Sequence, residues 1–221
     1  MKLVRFSHPD TGEVGAGIHR GDEVTWLEDG QNETPRDPFG TLLETVTTSD
    51  SSSLESRIEE GPTFERSSLD LLPPLPEDRR LFCLGGVYTG HLRDAGLELT
   101  VDPNQWVMPA NAIVGPEADI LLPERVSENV KPAAELCVVI GRRGKYIQPM
   151  EAFEYFAGYS ISNDVTARTE WPGPVAYKMM DSFSPIGPHV RTADEVGKPM
   201  HLDIEMRQDE DVICRGNTAG M

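Results

Sequence analysis

The 221-residue sequence predicts a mainly β protein of the α+β class, with a small α+β domain over 1–76 ahead of a larger β domain over 77–221. Three observations carry this. Short runs rich in Val, Ile, Leu and Phe alternate with polar residues, the two-residue period of half-buried strands. Twenty Gly and eighteen Pro punctuate the chain too often for a doubly wound α/β sheet. Finally, Leu71-Leu72-Pro73-Pro74-Leu75-Pro76 is stiff and extended, because prolines fix φ and remove amide donors, which places a linker there.

The elements follow in order. Lys2–Phe6, Val14–Ile18 and Val24–Leu27 read as strands separated by Asp-Thr-Gly and Arg-Gly-Asp turns. Phe39–Val46 reads as a short helix after Pro38, Thr47–Ser53 as a Ser/Thr/Asp loop, and Leu54–Glu60 as a helical turn stopped by Gly61-Pro62. Arg80–Gly85 is a buried-strand candidate running into a Gly-Gly turn, and His91–Ala95 makes one or two helical turns. Ile120–Leu122 and Glu135–Ile140 read as strands, Met150–Phe156 as a short helix and Tyr159–Ser162 as a strand. Met200–Met206 and Val212–Cys214 close the chain with further strands.

Thirty-seven Asp and Glu against twenty Lys and Arg leave a net charge of −17 and a pI near 4.6. Nucleic acid and anionic membrane both demand a basic face, so neither is expected as a partner. Only five of the twenty basic residues are Lys. Many carboxylates with few lysines suit a surface that stays soluble where salt screens charge, so a salt-rich cytoplasm is expected. The start, MKLVRFSHPD, holds no apolar core of signal-peptide length, and no apolar run approaches the roughly 20 residues of a membrane span. Cys83, Cys137 and Cys214 are odd in number and far apart, and read as buried, reduced thiols of a cytoplasmic protein.

Four segments could carry chemistry. Along Ala133–Gly141, Leu136, Val138 and Ile140 share one strand face, while Ala133, Glu135, Cys137 and Val139 share the other. Burying Glu135 charged costs several kcal/mol unless it is paired or bound to a metal; a solvated strand end or an arginine partner is the alternative. Ser160–Arg168 reads as a strand ending in an Asx turn at Asn163-Asp164. Lys178–Pro188 reads as a stiff loop. In Gly85–Asp94, His91 and Asp94 stand three apart and could face each other on a helix, where a carboxylate raises the basicity of a His. A surface hydrogen bond is the plainer account of that pair.

In order and spacing these segments resemble the fumarylacetoacetate hydrolase family. Leu81–Gly96 is similar to the family's GxNYxxHxxE segment, and Gly115-Pro116 with Ile120–Pro123 to GPxxxIxxP. Glu135–Gly141 is similar to ExELxVVIG, Gly158–Arg168 to GYxxxNDVxxR, Lys178–Pro188 to KxxDxFxPxGP, and Arg215–Met221 to GNTxxM. The resemblance covers residues 80–221 well and 1–76 loosely. It implies a mixed β-roll/β-sandwich domain preceded by a small α+β domain. It also implies one Mg²⁺ or Mn²⁺ on Glu135 and Asp164, acting on a small 2-oxo or β-diketo acid. The reactions implied are C–C hydrolysis, decarboxylation, isomerisation or dehydration through an enolate. By the same resemblance His91, Asp94 and Lys178 are catalytic, and Tyr88, Arg168, Asp181 and Thr218 bind the carboxylate substrate.

The departures are informative. Ala133 stands where the family has a first metal Glu, Val87 replaces an Asn, Met108 a Lys, and Cys214 a Gln. Asp94 is one methylene shorter than the family's Glu. An altered dyad favours isomerisation or decarboxylation over hydrolysis. The family continues beyond Gly216-Asn217-Thr218, so ending at Met221 leaves sheet edges to be covered. Either this is a shortened product or another chain covers them, and a homodimer is expected. The competing function is a catalytically impaired binding or assembly subunit.

Overall fold

Apolar residues two apart at the start of the chain build the centre of the molecule. The computed structural model describes residues 1–27, 37–48, 51–76, 78, 80–98, 102–122, 125, 127–168 and 176–221. The N-terminal strands are β1 (Lys2–Ser7), β2 (Val14–Arg20), β3 (Glu23–Trp26), β4 (Thr63–Glu65) and β5 (Asp70–Leu72). Two helices, α1 (Pro38–Thr48) and α2 (Ser51–Glu60), fall between β3 and β4. The second half holds β6 (Leu81–Gly85), α3 (Thr89–Asp94), β7 (Asn104–Met108), β8 (Ile113–Val114), β9 (Asn129–Lys131) and β10 (Ala134–Ile140). It continues with β11 (Phe156–Asn163), β12 (Thr166–Arg168), β13 (Ser184–Thr192), α4 (Ala193–Val196), β14 (Asp203–Gln208) and β15 (Asp211–Asn217). The fold is mainly β, as the composition predicts.

Nine strands form one sheet in the order β10-β11-β13-β1-β2-β3-β4, with β5 on β1 and β8 on β13. β1 is the junction: Leu3 lies opposite Ile18 of β2 and Val190 of β13. Strands from before and after the proline-rich segment therefore share hydrogen bonds. Three two-stranded ribbons stand apart: β6–β7, β9–β12 and β14–β15.

Helix α1 covers one face. Asp37 caps it, accepting from the Phe39 amide at 2.9 Å, and Pro38 follows in the first turn, where its missing N–H costs nothing. Phe39, Leu42 and Leu43, at helical spacing, are buried against Leu3, Ile18, Cys137, Val139, Ile186 and Val190. Each fully buried Leu or Phe contributes about 1.5–3 kcal/mol. Gly141 lets the end of β10 meet this helix: a Cβ there would lie 2.1 Å from Thr47 Oγ1 and 2.6 Å from the Leu43 carbonyl.

Several expectations are corrected. Thr47–Ser53 is not a loop where described: α1 runs to Thr48 and α2 begins at Ser51, while 49–50 lie outside the described residues. Thr45, Thr47 and Thr48 donate to carbonyls four residues back and so stay helical. Ile120–Leu122 joins no ladder; the Leu121 amide donates instead to Ser182 Oγ at 2.7 Å. The end of the supposed loop Lys178–Pro188 is strand β13. Pro188 fits because the β11–β13 register shifts between Tyr159 and Ile161, where the strand tolerates a residue without a donor; Pro185 lies opposite Val114 of the short β8. Arg80–Gly85 is a strand only from Leu81 and is not buried, with Phe82 and Leu84 mostly exposed. Of the three reduced cysteines only Cys137 is buried; Cys83 is half-buried and Cys214 exposed. Among the described residues no helix is long and apolar enough to cross a membrane.

Candidate active site

The far ends of β10 and β11 make the site. Glu135 lies opposite Ser162 in the ladder, and Ala134 opposite Asn163. Beyond the ladder the two chains stay clamped: the Ala133 amide donates to Asn163 Oδ1 at 3.0 Å, and the Asp164 amide donates to the Ala133 carbonyl at 2.9 Å. This sets Asp164 beside Glu135. The next residues alternate. Val165 and Ala167 turn into a small core with Phe183, and the Val165 amide donates to the Phe183 carbonyl at 3.0 Å. Thr166 turns the other way, where Lys178, from the single turn Ala176–Lys178, donates to Thr166 Oγ1 at 2.8 Å and to Asp164 Oδ2.

The ribbon β6–β7 borders this cluster. Cys83 and Trp106 are directly opposite in its ladder, and Lys178 Nζ lies 5.6 Å from the centre of the Trp106 ring. After β6, Gly85-Gly86 turns the chain, with Gly86 at φ +77°, and leads to Tyr88 at the start of α3.

The electrostatics show that these groups share one environment. Burial, then the neighbouring Asp164, push the Glu135 carboxyl up to about 7, with Lys178 opposing them. Burial and then Asp164 push the Cys83 thiol up to about 12, and burial and then Glu135 raise the Tyr88 hydroxyl. Asp164 Oδ1, Tyr88 Oη and Trp106 Nε1 are shielded from solvent and make no hydrogen bond among the described residues. Groups of this kind are rare in satisfied cores and carry a free-energy cost of about 1–3 kcal/mol each.

The remaining candidates are placed differently. His91 and Asp94 are exposed on α3, and no hydrogen bond joins them among the described residues. Thr218 is buried and braces the last hairpin: the Leu202 amide donates to its Oγ1 at 2.8 Å, and its own amide donates to the Leu202 carbonyl at 2.9 Å. Thr89 Oγ1 donates to the Gly220 carbonyl at 3.0 Å, which seats this terminal turn next to Tyr88. Arg168 and Asp181 are exposed; Asp181 accepts from Asn111 Nδ2, and the Arg168 carbonyl accepts from Ser127 Oγ. No hydrogen bond or ion pair links either to Glu135, Asp164 or Lys178 among the described residues. The pattern therefore gathers Glu135, Asp164, Lys178 and Tyr88. Sequence reasoning passed over Cys83 and Trp106, whose only signal was their place on alternating positions of a ribbon.

The donor set suits a hard divalent cation. Glu135 and Asp164 offer carboxylate oxygens, one of them sheltered and unpartnered, and Mg²⁺ is commonly held by one or two carboxylates with water and substrate. Among the described residues no group of three or more His, Cys, Asp and Glu could hold a metal. Ala133 offers only its carbonyl, already taken by Asp164.

Comparison with known proteins agrees with this architecture. The family model for the fumarylacetoacetate hydrolase C-terminal domain matches residues 80–221. Mitochondrial oxaloacetate tautomerase FAHD2A of Bos taurus is 35% identical over 165 residues, covering 72% of this chain and 52% of that protein. An uncharacterised protein of Methanocaldococcus jannaschii is 36% identical over 149 residues, covering 64% of this chain and 60% of that one. The chain thus spans about half the length of the curated relatives it matches. Among solved structures, maleylpyruvate hydrolase from Sphingobium sp. SYK-6, in complex with manganese(II) and pyruvate, superposes with a TM-score of 0.78 at 22% identity. That likeness covers all of this chain and 78% of that one. Fumarylacetoacetate hydrolase from Exiguobacterium antarcticum gives 0.74 at 24% identity, covering 100% and 76%. These structural likenesses establish the fold, and the family match with the sequence relatives establishes the lineage: the chain belongs to the fumarylacetoacetate hydrolase family.

Proposed function

We propose that the chain acts on a small 2-oxo acid by divalent-metal-assisted enol–keto isomerisation or decarboxylation. The observation that carries this reading is the sheltered cluster of Glu135, Asp164 and Lys178, with an unpartnered carboxylate oxygen and an unpartnered phenol beside it. Glu135 and Asp164 would hold Mg²⁺ or Mn²⁺. When bound, the cation supplies a Lewis acid that grips vicinal oxygens and favours negative charge building on oxygen. Lys178 adds a positive charge on the same side, and Tyr88 offers a hydroxyl donor to the substrate carboxylate. His91 remains the candidate proton shuttle, but it stands exposed and apart from Asp94, which favours reactions that do not require an activated water. Solved family members named as a hydrolase with manganese(II) and pyruvate, and sequence relatives named as oxaloacetate tautomerases, support the substrate class.

The test is oxaloacetate enol–keto interconversion and pyruvate release by the purified chain with Mg²⁺ or Mn²⁺. Turnover that chelator removes and metal restores is expected. Absence of turnover of oxaloacetate and of acylpyruvates with either metal would overturn the reading. It would then favour the second one, a binding or assembly subunit, which Ala133 and the engagement of Lys178 by Asp164 support. A cytoplasmic homodimer without nucleic-acid or membrane partner is part of the same proposal. The exposed Phe82, Leu84 and Val107 of one ribbon suit a protein contact, and light scattering in high salt checks it.

A further inference from the structure

We propose that Thr166 is a positioning residue of this site: its hydroxyl keeps the Lys178 ammonium in place when the Asp164 carboxylate is given to a cation. The inference rests on the metal-assisted reading above and assigns a role to a residue that reading does not use. Lys178 closes the short turn Ala176–Lys178 and reaches the cluster on a flexible four-carbon stem. Fixing such a stem costs rotamer freedom, so it needs anchors. Among the described residues two hold it: the ammonium donates to Asp164 Oδ2 and, at 2.8 Å, to Thr166 Oγ1. They differ in kind. Asp164 is a counter-charge whose oxygens the proposed reading assigns to metal. Thr166 is neutral, so it fixes the ammonium and leaves its charge unspent for the oxygen on which negative charge builds.

The local fold makes Thr166 a rigid anchor. It is 5% exposed, whereas the Lys178 side chain is 18% exposed, so the anchor is buried while the group it holds stays partly open. Its neighbours lock it. Val165 and Ala167 are buried with Phe183, the Val165 amide donates to the Phe183 carbonyl at 3.0 Å, and Thr166 lies opposite Lys131 in the β9–β12 ladder. A branched Cβ then restricts the hydroxyl to few rotamers. An ammonium can only donate, so Oγ1 accepts from it, and the hydroxyl's own hydrogen is left for the Asp164 carbonyl, 3.4 Å away. Of the three ammonium hydrogens two are thus placed, and the third has no hydrogen-bond acceptor among the described residues. The Trp106 ring, centred 5.6 Å from Nζ, borders another side.

The experiment compares the intact wild-type chain with Thr166→Ser, Thr166→Val and Thr166→Ala by two readouts. The first is turnover of oxaloacetate with Mn²⁺. Thr166→Val is expected to lower kcat about 10-fold with KM within about 3-fold, Thr166→Ala to repeat that loss, and Thr166→Ser, which keeps the hydroxyl, to stay within about 3-fold of wild type. The second needs neither metal nor turnover. Acetic anhydride labelling of Lys178 is read by mass spectrometry against the other four lysines, in an Asp164→Asn background where the counter-charge is gone. There Thr166→Val is expected to speed Lys178 labelling about 3-fold or more, and Thr166→Ser to leave it unchanged. An unchanged kcat in Thr166→Val, an equal loss in Thr166→Ser, or labelling that Thr166→Val leaves unchanged overturns the positioning role and leaves the metal-assisted reading intact. A wild type without turnover of oxaloacetate or acylpyruvates overturns that reading, while faster labelling in Thr166→Val still upholds the anchor.

Discussion

The core beneath α1 and the charged cluster around Glu135 are built by the same face of the same strand. β10 turns Cys137 and Val139 into a core with Leu3, Phe39, Leu42 and Leu43, where the contacts are apolar. Two residues earlier that face offers Glu135 to Asp164, and there a carboxylate oxygen, a phenol and an indole N–H go unpaired. The difference separates what holds the fold from what the fold is for. Apolar burial needs nothing further, whereas sheltered charge and unpaired donors cost free energy until something complementary arrives. The comparison predicts that changes in the core will cost stability, and that changes in the charged cluster will cost binding and turnover while leaving stability unchanged or higher.

The largest effect belongs to the core. Phe39 is fully buried on α1, and Phe39→Ala is expected to cost about 3–5 kcal/mol in urea unfolding. A loss below about 1 kcal/mol would mean that α1 is not the clamp on this sheet.

Next comes Asp164, which among the described residues alone is bonded to both Ala133 and the Lys178 ammonium. Asp164→Asn keeps the shape and the backbone bond. Turnover of oxaloacetate with Mn²⁺ should fall about 100-fold or more, with the urea unfolding free energy changed by less than about 1 kcal/mol, because the amide oxygen still accepts from Lys178 and the repulsion with Glu135 is relieved. A collapse of stability with no change in turnover would make the pair a structural ion pair instead.

Glu135→Gln sharpens the contrast. Its carboxylate is sheltered beside that of Asp164 and carries no hydrogen bond among the described residues, so the neutral amide should stabilise the chelator-treated protein by about 1 kcal/mol at pH 8. The same variant should lose Mn²⁺ binding. Destabilisation by Gln would show that Glu135 has a partner that holds the fold.

Much of this was legible in the sequence, and the failures have physical causes. The strands of the central sheet follow their apolar residues: Glu135–Ile140 alternates because one face is buried, whereas Leu3–Phe6 is buried on both faces, with Leu3 in one core and Val4 and Phe6 in another. The site pair was visible because an acidic residue on a core face has few explanations. Strand β13 was hidden by Pro185, Gly187 and Pro188, residues that normally end strands; Pro185 pairs with Val114 of the short β8, Gly187 lies opposite Ile161, and Pro188 falls where the β11–β13 register shifts. The ribbon β6–β7 inverts the usual rule: Phe82, Leu84 and Val107 face outward, while Cys83 and Trp106 border the charges. On β6 alternation alone assigns Phe82 and Leu84 to the inside and Cys83 to the outside, the reverse of what the structure shows. The identity of position 106 as a site residue emerged only from its neighbours across the chain.

The smallest effect lies back in the sheet, at His189 of β13, and its sign follows from linkage. Burial first, then the charges of Lys2, His19 and Arg191, push the imidazole down from its ordinary 6.5 to about 4, with Glu195 weakly opposing. Its Nδ1 is shielded and unpartnered, and the His19 ring lies 6.4 Å away. In the unfolded chain the group binds a proton near 6.5; in the folded chain it resists until about 4. The unfolded state therefore holds more protons in that window, and the contribution to stability is lost as pH falls through it. Discounted for partial exposure, the loss is about 1 kcal/mol. Other carboxylates titrate over the same range, so the informative quantity is the difference between wild type and His189→Gln. Urea midpoints measured at pH 7.5, about 5.5 and about 4.5 should converge for the two proteins as pH falls, because the variant lacks this proton uptake. Parallel curves would place the acid sensitivity of the sheet elsewhere and leave His189 as packing alone.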